Sequence, residues 1–417
     1  MSPAKVRQAF LLLWMGLALA FAACAAQAQT ETVLYNFCSS PGCPDGLAPD
    51  SRLTSDEAVN FYGMTANGGL GYGTVFELSP NGRGGWNETV LYSFSGGQNG
   101  PDGDYPGYYS DVIFDSSGNL YGTTLYGGAE GLGMVFELSR AGTSWTETVL
   151  HSFTGGTGDG AYPSGDLAID VAGNVYGTTS SGGSAGGGIV FELSPSGGVW
   201  NEQVIYDSAL DKYGYDIPGV GMAPGLAIDT AGNLYGANGD SVIELSPNGN
   251  GGWNSAMLHT FTGAPDDNAL EGYIGTPVLD QAGNIYGTTI VGGPWGITYK
   301  LSPEKKGKWK EKVIAAFNGI FKNNDGVSPG GALVISADGN IYGVSDSGGQ
   351  YGTGVMFELI PPAGTGKYEH KTLWIFGGPG DGWLPRGGLI QDSAGNLYGT
   401  TIGGGSNDGG IVFEITP

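Results

Sequence analysis

Seven copies of the tetrapeptide Asn-x-Tyr-Gly, with tyrosines at Tyr62, Tyr121, Tyr176, Tyr235, Tyr286, Tyr342 and Tyr398, constrain this chain more than any other feature. The intervals between them are 59, 55, 59, 51, 56 and 56 residues. Periods of this size belong to solenoids, propellers or arrays, and the content of one unit decides among them. Glycine (81 residues) and proline (22 residues) make up about a quarter of the chain, which without a period would indicate low complexity.

No unit carries a helical pattern. In the stretch 110–153, Asp111–Asp115 reads as a short strand a, Ser116-Ser117-Gly118 as a tight turn and Asn119–Thr124 as strand b. A glycine-rich loop, Tyr126–Gly131, leads to strand c at Gly133–Ser139, and strand d follows at Trp145–Phe153. Glycine supplies positive φ and Asp or Asn bonds the local backbone where the chain reverses. Strand d alternates with period two, so that in Trp86–Phe94 the residues Val90, Tyr92 and Phe94 are expected to face opposite to Thr89, Leu91 and Ser93. One such meander cannot bury both its faces alone. Stacking the sheets radially does, and seven units predict an all-β, seven-bladed propeller of four-stranded antiparallel blades.

The chain ends point the same way. The last unit stops at strand c, Gly409–Thr416, and lacks a d. Glu31–Phe37 repeats Glu88–Phe94 almost residue for residue, yet precedes the first a strand near Arg52–Asp56. Pairing it with the last c strand completes blade seven and removes an exposed edge.

The run Leu120-Tyr121-Gly122-Thr123-Thr124-x-x-Gly127-Gly128-x-x-Gly131-x-Gly133-x-Val135-Phe136-Glu137-Leu138 resembles the bacterial choice-of-anchor tandem repeat called GloVer. The resemblance covers essentially all of the chain after its leader. The first unit departs at Met64, where threonine is usual, and the fourth reads Ala237-Asn238-Gly239-Asp240 with no Gly-Gly loop. The resemblance implies export, often with a C-terminal sorting tail, and brings no activity to any residue. This chain ends at Pro417 inside the last unit, so release or periplasmic retention is the expectation.

Lys5 and Arg7 precede an apolar run, Ala9–Ala23, and Ala26-Gln27-Ala28 follows it, which predicts a signal peptide over 1–28 and one propeller domain over 29–417. The run is shorter than the roughly 20 residues of a membrane span, and the mature chain is expected to have none. Phe21-Ala22-Ala23-Cys24 gives a minor lipoprotein reading. Losing Lys5 and Arg7 moves the net charge from −24 to −26, which argues against nucleic acid as a partner. Six lysines, Lys300, Lys305, Lys306, Lys308, Lys310 and Lys312, crowd one stretch, read as a solvated hairpin ahead of an anion-docking patch. Cys38 and Cys43 are the cysteines left after cleavage, and an oxidising compartment predicts a disulfide between them.

The b-to-c loops and the d-to-a connections share one face. Asp-Gly recurs there at Asp45, Asp102, Asp159, Asp325 and Asp381, with Asp104 nearby. Turn chemistry is the favoured reading; the sharper one is calcium held by Asp102, Asp104, Asp159, Asp325 and Asp381, since hard cations take several oxygens. Loop aromatics, among them Tyr105, Tyr108, Tyr109, Tyr126, Tyr162, Tyr213, Tyr215, Trp295 and Trp383, suit sugars as well as gap-filling. Trp86, Trp145, Trp200, Trp253 and Trp309 recur at one strand-d position and read as packing. His151, His259 and His370 all fall on the outermost strand, away from any convergent catalytic site.

These observations give a non-enzymatic exported binding or scaffold module, expected to be a monomer. Its expected partner is an extracellular polysaccharide or cell-surface component held by Trp383, Trp295, Tyr213, Tyr215, Asp381 and Arg386, with a lateral approach where blade four has lost its loop. The alternative is a polysaccharide hydrolase or lyase using loop-face carboxylates, with Asp381 and Arg386 flanking Trp383. A deep pocket with paired acids would mark the enzyme, and a shallow aromatic face the binder.

Overall fold

The computed structural model describes residues 29–97, 100–142, 144–208, 225–238, 240–261, 275–319 and 325–417. The expected signal peptide over residues 1–28, Tyr213 and Tyr215 lie outside the described residues.

Each repeat tetrapeptide is explained by one turn. In blade two the carboxylate of Asp115 accepts from the backbone N–H of Ser117 (2.8 Å) and Asn119 (2.9 Å), from Asn119 Nδ2 (2.9 Å) and from the Tyr121 hydroxyl (3.2 Å). The same aspartate bonds its asparagine and tyrosine at Asp56, Asp170, Asp229, Asp280 and Asp392. Blade six has Ser336 there instead, and Tyr342 turns to Glu358 at 3.0 Å. The glycine of the tetrapeptide lies under a strand-c ring: a Cβ on Gly122 would stand 2.6 Å from Phe136 Cζ.

These turns organise seven four-stranded antiparallel blades, in order a-b-c-d. In blade two the strands are Ile113–Phe114, Leu120–Gly127, Met134–Ala141 and Ser144–Ser152. Strand b runs beyond its expected end because Gly103–Pro106, from the preceding connection, pairs with it. In blade seven the outermost strand is Thr30–Asn36, antiparallel to Ile411–Thr416 with Thr30 opposite Thr416 and Asn36 opposite Ile411. Cys38 and Cys43 form a disulfide just beyond it.

Every strand d slips register at one position: between Val33 and Tyr35, between Val149 and His151, and at its equivalents in the other blades. In blade one this bulge falls at Leu91, and Leu91, Tyr92 and Phe94 all join the apolar cluster shared with blade two. The simple alternation expected for this strand therefore breaks, because a bulge places two residues opposite one and re-aims the side chains after it.

Seven apolar clusters lie one per blade interface and close the ring. In six interfaces the aromatic ending strand d meets an aromatic of the next strand c: Phe37 with Phe76, Phe94 with Phe136, Phe153 with Phe191, Phe261 with Tyr299, Phe317 with Phe357 and Phe376 with Phe413. Trp86, Trp145, Trp200, Trp253 and Trp309 pack at the margins of these clusters.

Candidate functional site

The Asp-Gly connections prove to be a longer motif, Asp-Gly-x-x-Pro, at Asp45–Pro49, Asp102–Pro106, Asp159–Pro163, Asp325–Pro329 and Asp381–Pro385. The residue before proline is left-handed each time: Ala48, Tyr105, Tyr162, Ser328 and Leu384 have φ between 54° and 59°. That twist aims its N–H at a loop carbonyl of the preceding blade, 2.8 to 3.2 Å away, on Gly409, Tyr72, Leu132, Trp295 and Thr353 respectively. The motif thus latches adjacent blades on the loop-rich face.

Its aspartates serve the same latch. Asp102 accepts from Ser95 N (2.8 Å), Ser95 Oγ (2.9 Å), Tyr92 OH (3.3 Å) and Gly103 N (2.8 Å). Asp159 accepts from Thr154 N and Oγ1 and from Gly160 N, with His151 Nε2 3.1 Å away. Asp381 accepts from Trp374 Nε1, Gly377 N and Gly382 N, and Asp325 from Asn318. Asp104 is half-buried and paired in register with Tyr126. Among the described residues, no group of three or more His, Cys, Asp or Glu side chains is placed to hold a metal ion.

The loop aromatics divide. Trp383 pairs in register with Gly403, its ring filling the place a Cβ there would take. Trp295 is 43% exposed in a loop of blade five, beside Gly319. Trp295 stands on blade five and Trp383 at the entry to blade seven. Blade four closes its b–c hairpin tightly, with Asn238 opposite Ser241. Lys300 and Lys312 of the lysine-rich hairpin lie over Tyr286 and Tyr368, at 5.0 and 5.2 Å from the ring centroids. His151, His259 and His370 all sit on strand d.

What converges instead is the entrance to strand a. The position before the buried apolar residue of that strand is Gly225, Thr276, Ala332 and Gly388 in blades four to seven, but Arg52, Asp111 and Asp166 in blades one to three. Arg52 forms ion pairs with Asp111 and, at 3.6 Å, with Asp166. A pair that skips from blade one to blade three must cross the centre of the ring. Burial raises both carboxyls, and the Arg52 charge opposes that rise.

Two residues nearer the loop face, the equivalent positions hold Asp50, Tyr109, Ser164, Gly330 and Arg386. The Arg386 guanidinium stands 5.7 Å from the Tyr109 ring centroid, and its Nε lies 3.5 Å from Asp346. That arm reaches from blade seven past blade one to blade two. Tyr105, Tyr108 and Tyr109 stack edge to face, with centroids 5.9 and 4.8 Å apart, and Tyr109 is 37% exposed. Asp50 is 1% exposed, and neither of its oxygens accepts a hydrogen bond. Burial pushes its carboxyl up to about 7, Arg386 opposing and Asp346 adding to the rise. A Cβ on Gly330 would meet nothing within 4 Å. Of this centre, the loop motifs pointed to Arg386 and the three tyrosines; Asp50, Arg52, Asp111 and Asp166 emerge only when the units are aligned on strand a.

A β-propeller with a charged, tyrosine-walled mouth on its loop-rich face is therefore the class of protein that fold and site define. The chain belongs to the Gloeobacter/Verrucomicrobia repeat family, whose model matches residues 89–251 and 238–417. No curated protein matches it. Among solved structures it is similar to virginiamycin B lyase from Staphylococcus aureus (11% identity, TM-score 0.55, covering 93% of this chain and 99% of that one). It is also similar to two extracellular domains from B. thetaiotaomicron. One is assigned to a one-component system (12%, 0.54, covering 93% of this chain and 42% of that one), the other to a hybrid two-component system (14%, 0.52, covering 94% and 41%). At these identities the likeness is one of fold alone. Among the described residues, no helix is long and apolar enough to cross a membrane.

Proposed function

We propose that the protein is an exported, non-enzymatic binding module that takes an extracellular polysaccharide at the loop-face mouth of its central channel. The observation carrying this reading is the ladder Tyr105–Tyr108–Tyr109, which ends on an exposed ring beside Arg386 and Asp50. A sugar ring offers an apolar face to tyrosine and hydroxyls to the charged groups. Trp383 is half-buried against Gly403 and Trp295 is 43% exposed, and both remain to be tested from the outer loops. The signal-like sequence at the N-terminus, with Lys5 and Arg7 ahead of the apolar run Ala9–Ala23, and the fold likeness to two extracellular domains support export.

One observation favours a second reading. Asp50, raised to about 7, is a carboxyl suited to general acid chemistry near neutral pH, as a hydrolase or lyase needs. A polysaccharide binding screen with product analysis separates the two. Tyr109→Ala should weaken binding about tenfold, the scale of one lost ring contact, with an unchanged melt. Trp145→Ala, in a packing position, should chiefly lower the melting temperature. Wild type binding no polysaccharide, or Tyr109→Ala binding as wild type does, overturns the proposal; chain cleavage replaces it with the enzyme.

A further inference from the structure

Six blades agree on one charge that blade five reverses. Opposite the repeat tyrosine, strand c carries Glu77, Glu137, Glu192, Glu244, Glu358 or Glu414. Blade five has Lys300 opposite Tyr286. Its strand d takes the change further, with Lys312 directly opposite Lys300 and Lys310 opposite Ser302, where blades one and two place Thr89 and Asn87 or Thr148 and Thr146. Like charges opposite one another on a sheet are destabilising. The rings of Tyr286 and Tyr368 hold these two ammonium groups, and Lys312 Nζ also donates to the Gly366 carbonyl of blade six at 3.2 Å.

The rest of the patch has no such support. Lys305, Lys306, Lys308 and Lys310 are exposed, and among the described residues none of them forms an ion pair. Glu304 in the turn and half-buried Glu311 are the acids of this hairpin, against six lysines. Protection of an edge strand does not call for them, since strand d is outermost in every blade and neutral Asn87, Thr89, Thr146 and Thr148 serve elsewhere.

The surroundings of the patch select its partner by shape as well as by sign. Lys308, Lys310 and Lys312 alternate along the strand, so their stems leave one side at intervals of about 7 Å. The a-to-b turns share this face, opposite the loops, and carry an aspartate in every blade, so a flat anionic membrane would meet that ring of carboxylates too. Duplex nucleic acid, with one charge per roughly 1.7 Å, would be repelled by a chain of net charge −24. A narrow polymer with widely spaced charges can follow the one blade edge. We propose that the blade-five hairpin binds a linear acidic polysaccharide, with one carboxylate per sugar, independently of the loop-face site.

Esterification tests it, because it removes the charge and keeps the sugars. Titration calorimetry at neutral pH and low salt would compare oligomers of polygalacturonate with the same oligomers methyl-esterified, with phosphatidylglycerol vesicles and a DNA duplex as the other polyanions. The acid oligomer should bind, the ester should not, and raising the salt about fourfold should weaken binding about tenfold. The triple variant Lys305→Gln, Lys308→Gln, Lys310→Gln should lose about tenfold or more with an unchanged melt, while Tyr109→Ala binds as wild type does. Equal binding of acid and ester, unchanged affinity in the triple variant, or failure of every probe overturns the inference. Vesicles or duplex bound as tightly as the acid oligomer, or in its place, overturn the class of ligand. Loss of acid-oligomer binding in Tyr109→Ala, with the triple variant unaffected, moves the ligand to the loop face; that result overturns this inference and leaves the polysaccharide reading above intact.

Discussion

Replacing Phe37 by alanine tests how firmly the two ends of the chain are joined. Its ring is fully buried at the end of the N-terminal strand and meets Phe76 of blade one and Tyr35, both at 5.0 Å between centroids. Phe→Ala in a packed core costs about 3–5 kcal/mol, of which a lost aromatic pair accounts for roughly 1 kcal/mol. Unfolding entropy near 2.1 cal/mol/K per residue gives roughly 0.8 kcal/mol/K for a domain of about 390 residues, so the melting temperature should fall by about 4–6 °C. Phe153 occupies the same place between blades two and three, inside the chain, facing Phe191 at 5.2 Å. If the ends meet as any two blades meet, Phe37→Ala and Phe153→Ala should lose equal stability in paired thermal and urea melts. A loss below about 1 kcal/mol for Phe37→Ala beside a full loss for Phe153→Ala would refute the closed joint.

Two further outcomes follow from the carboxyls between blades. Glu31 and Glu88 are raised to about 8 and Glu147 to about 7, by burial first and then by Asp381, Asp45 and Asp102 respectively. Their folded values exceed the unfolded value of about 4.3, so the native state holds extra protons between the two; this stability is complete below about pH 4.3 and lost as pH rises through 7 to 8. The melting temperature should fall from about pH 5 to pH 9, less steeply in Glu88→Gln; a flat or rising profile contradicts the assignment. Asp159→Ala removes the acceptor for Thr154 and Gly160 and should cost about 2–4 kcal/mol, whereas calcium or a chelator should leave the wild-type melt unchanged. A calcium-dependent rise would assign these carboxylates to a metal.

Blade number and the a-b-c-d order were legible because the turn is local: an aspartate, or Ser336 in blade six, sits within seven residues of the asparagine and tyrosine of each tetrapeptide. The strand-d bulge was not, since Leu91 looks like any alternating residue until it is paired with strand c. Asp-Gly was visible, but the purpose of Asp-Gly-x-x-Pro lies in a carbonyl of the preceding blade, some 30 residues back in four copies and, for Ala48, at Gly409 near the other end of the chain. The central site was hidden for a different reason. Arg52, Asp111 and Asp166 share no motif; they are departures from it, charged where other blades carry small residues or Thr276. Repetition reveals the scaffold, and a site built on one end of a symmetric ring is found by asking where symmetry fails.

The claim that the loop-face centre binds the ligand is tested most directly by diffraction from crystals soaked with an oligomer of the polysaccharide that the binding screen selects. A sugar ring against the exposed face of Tyr109 is the predicted result. An oligomer seated on Trp295 or another outer loop, with nothing bound against Tyr109, would contradict it.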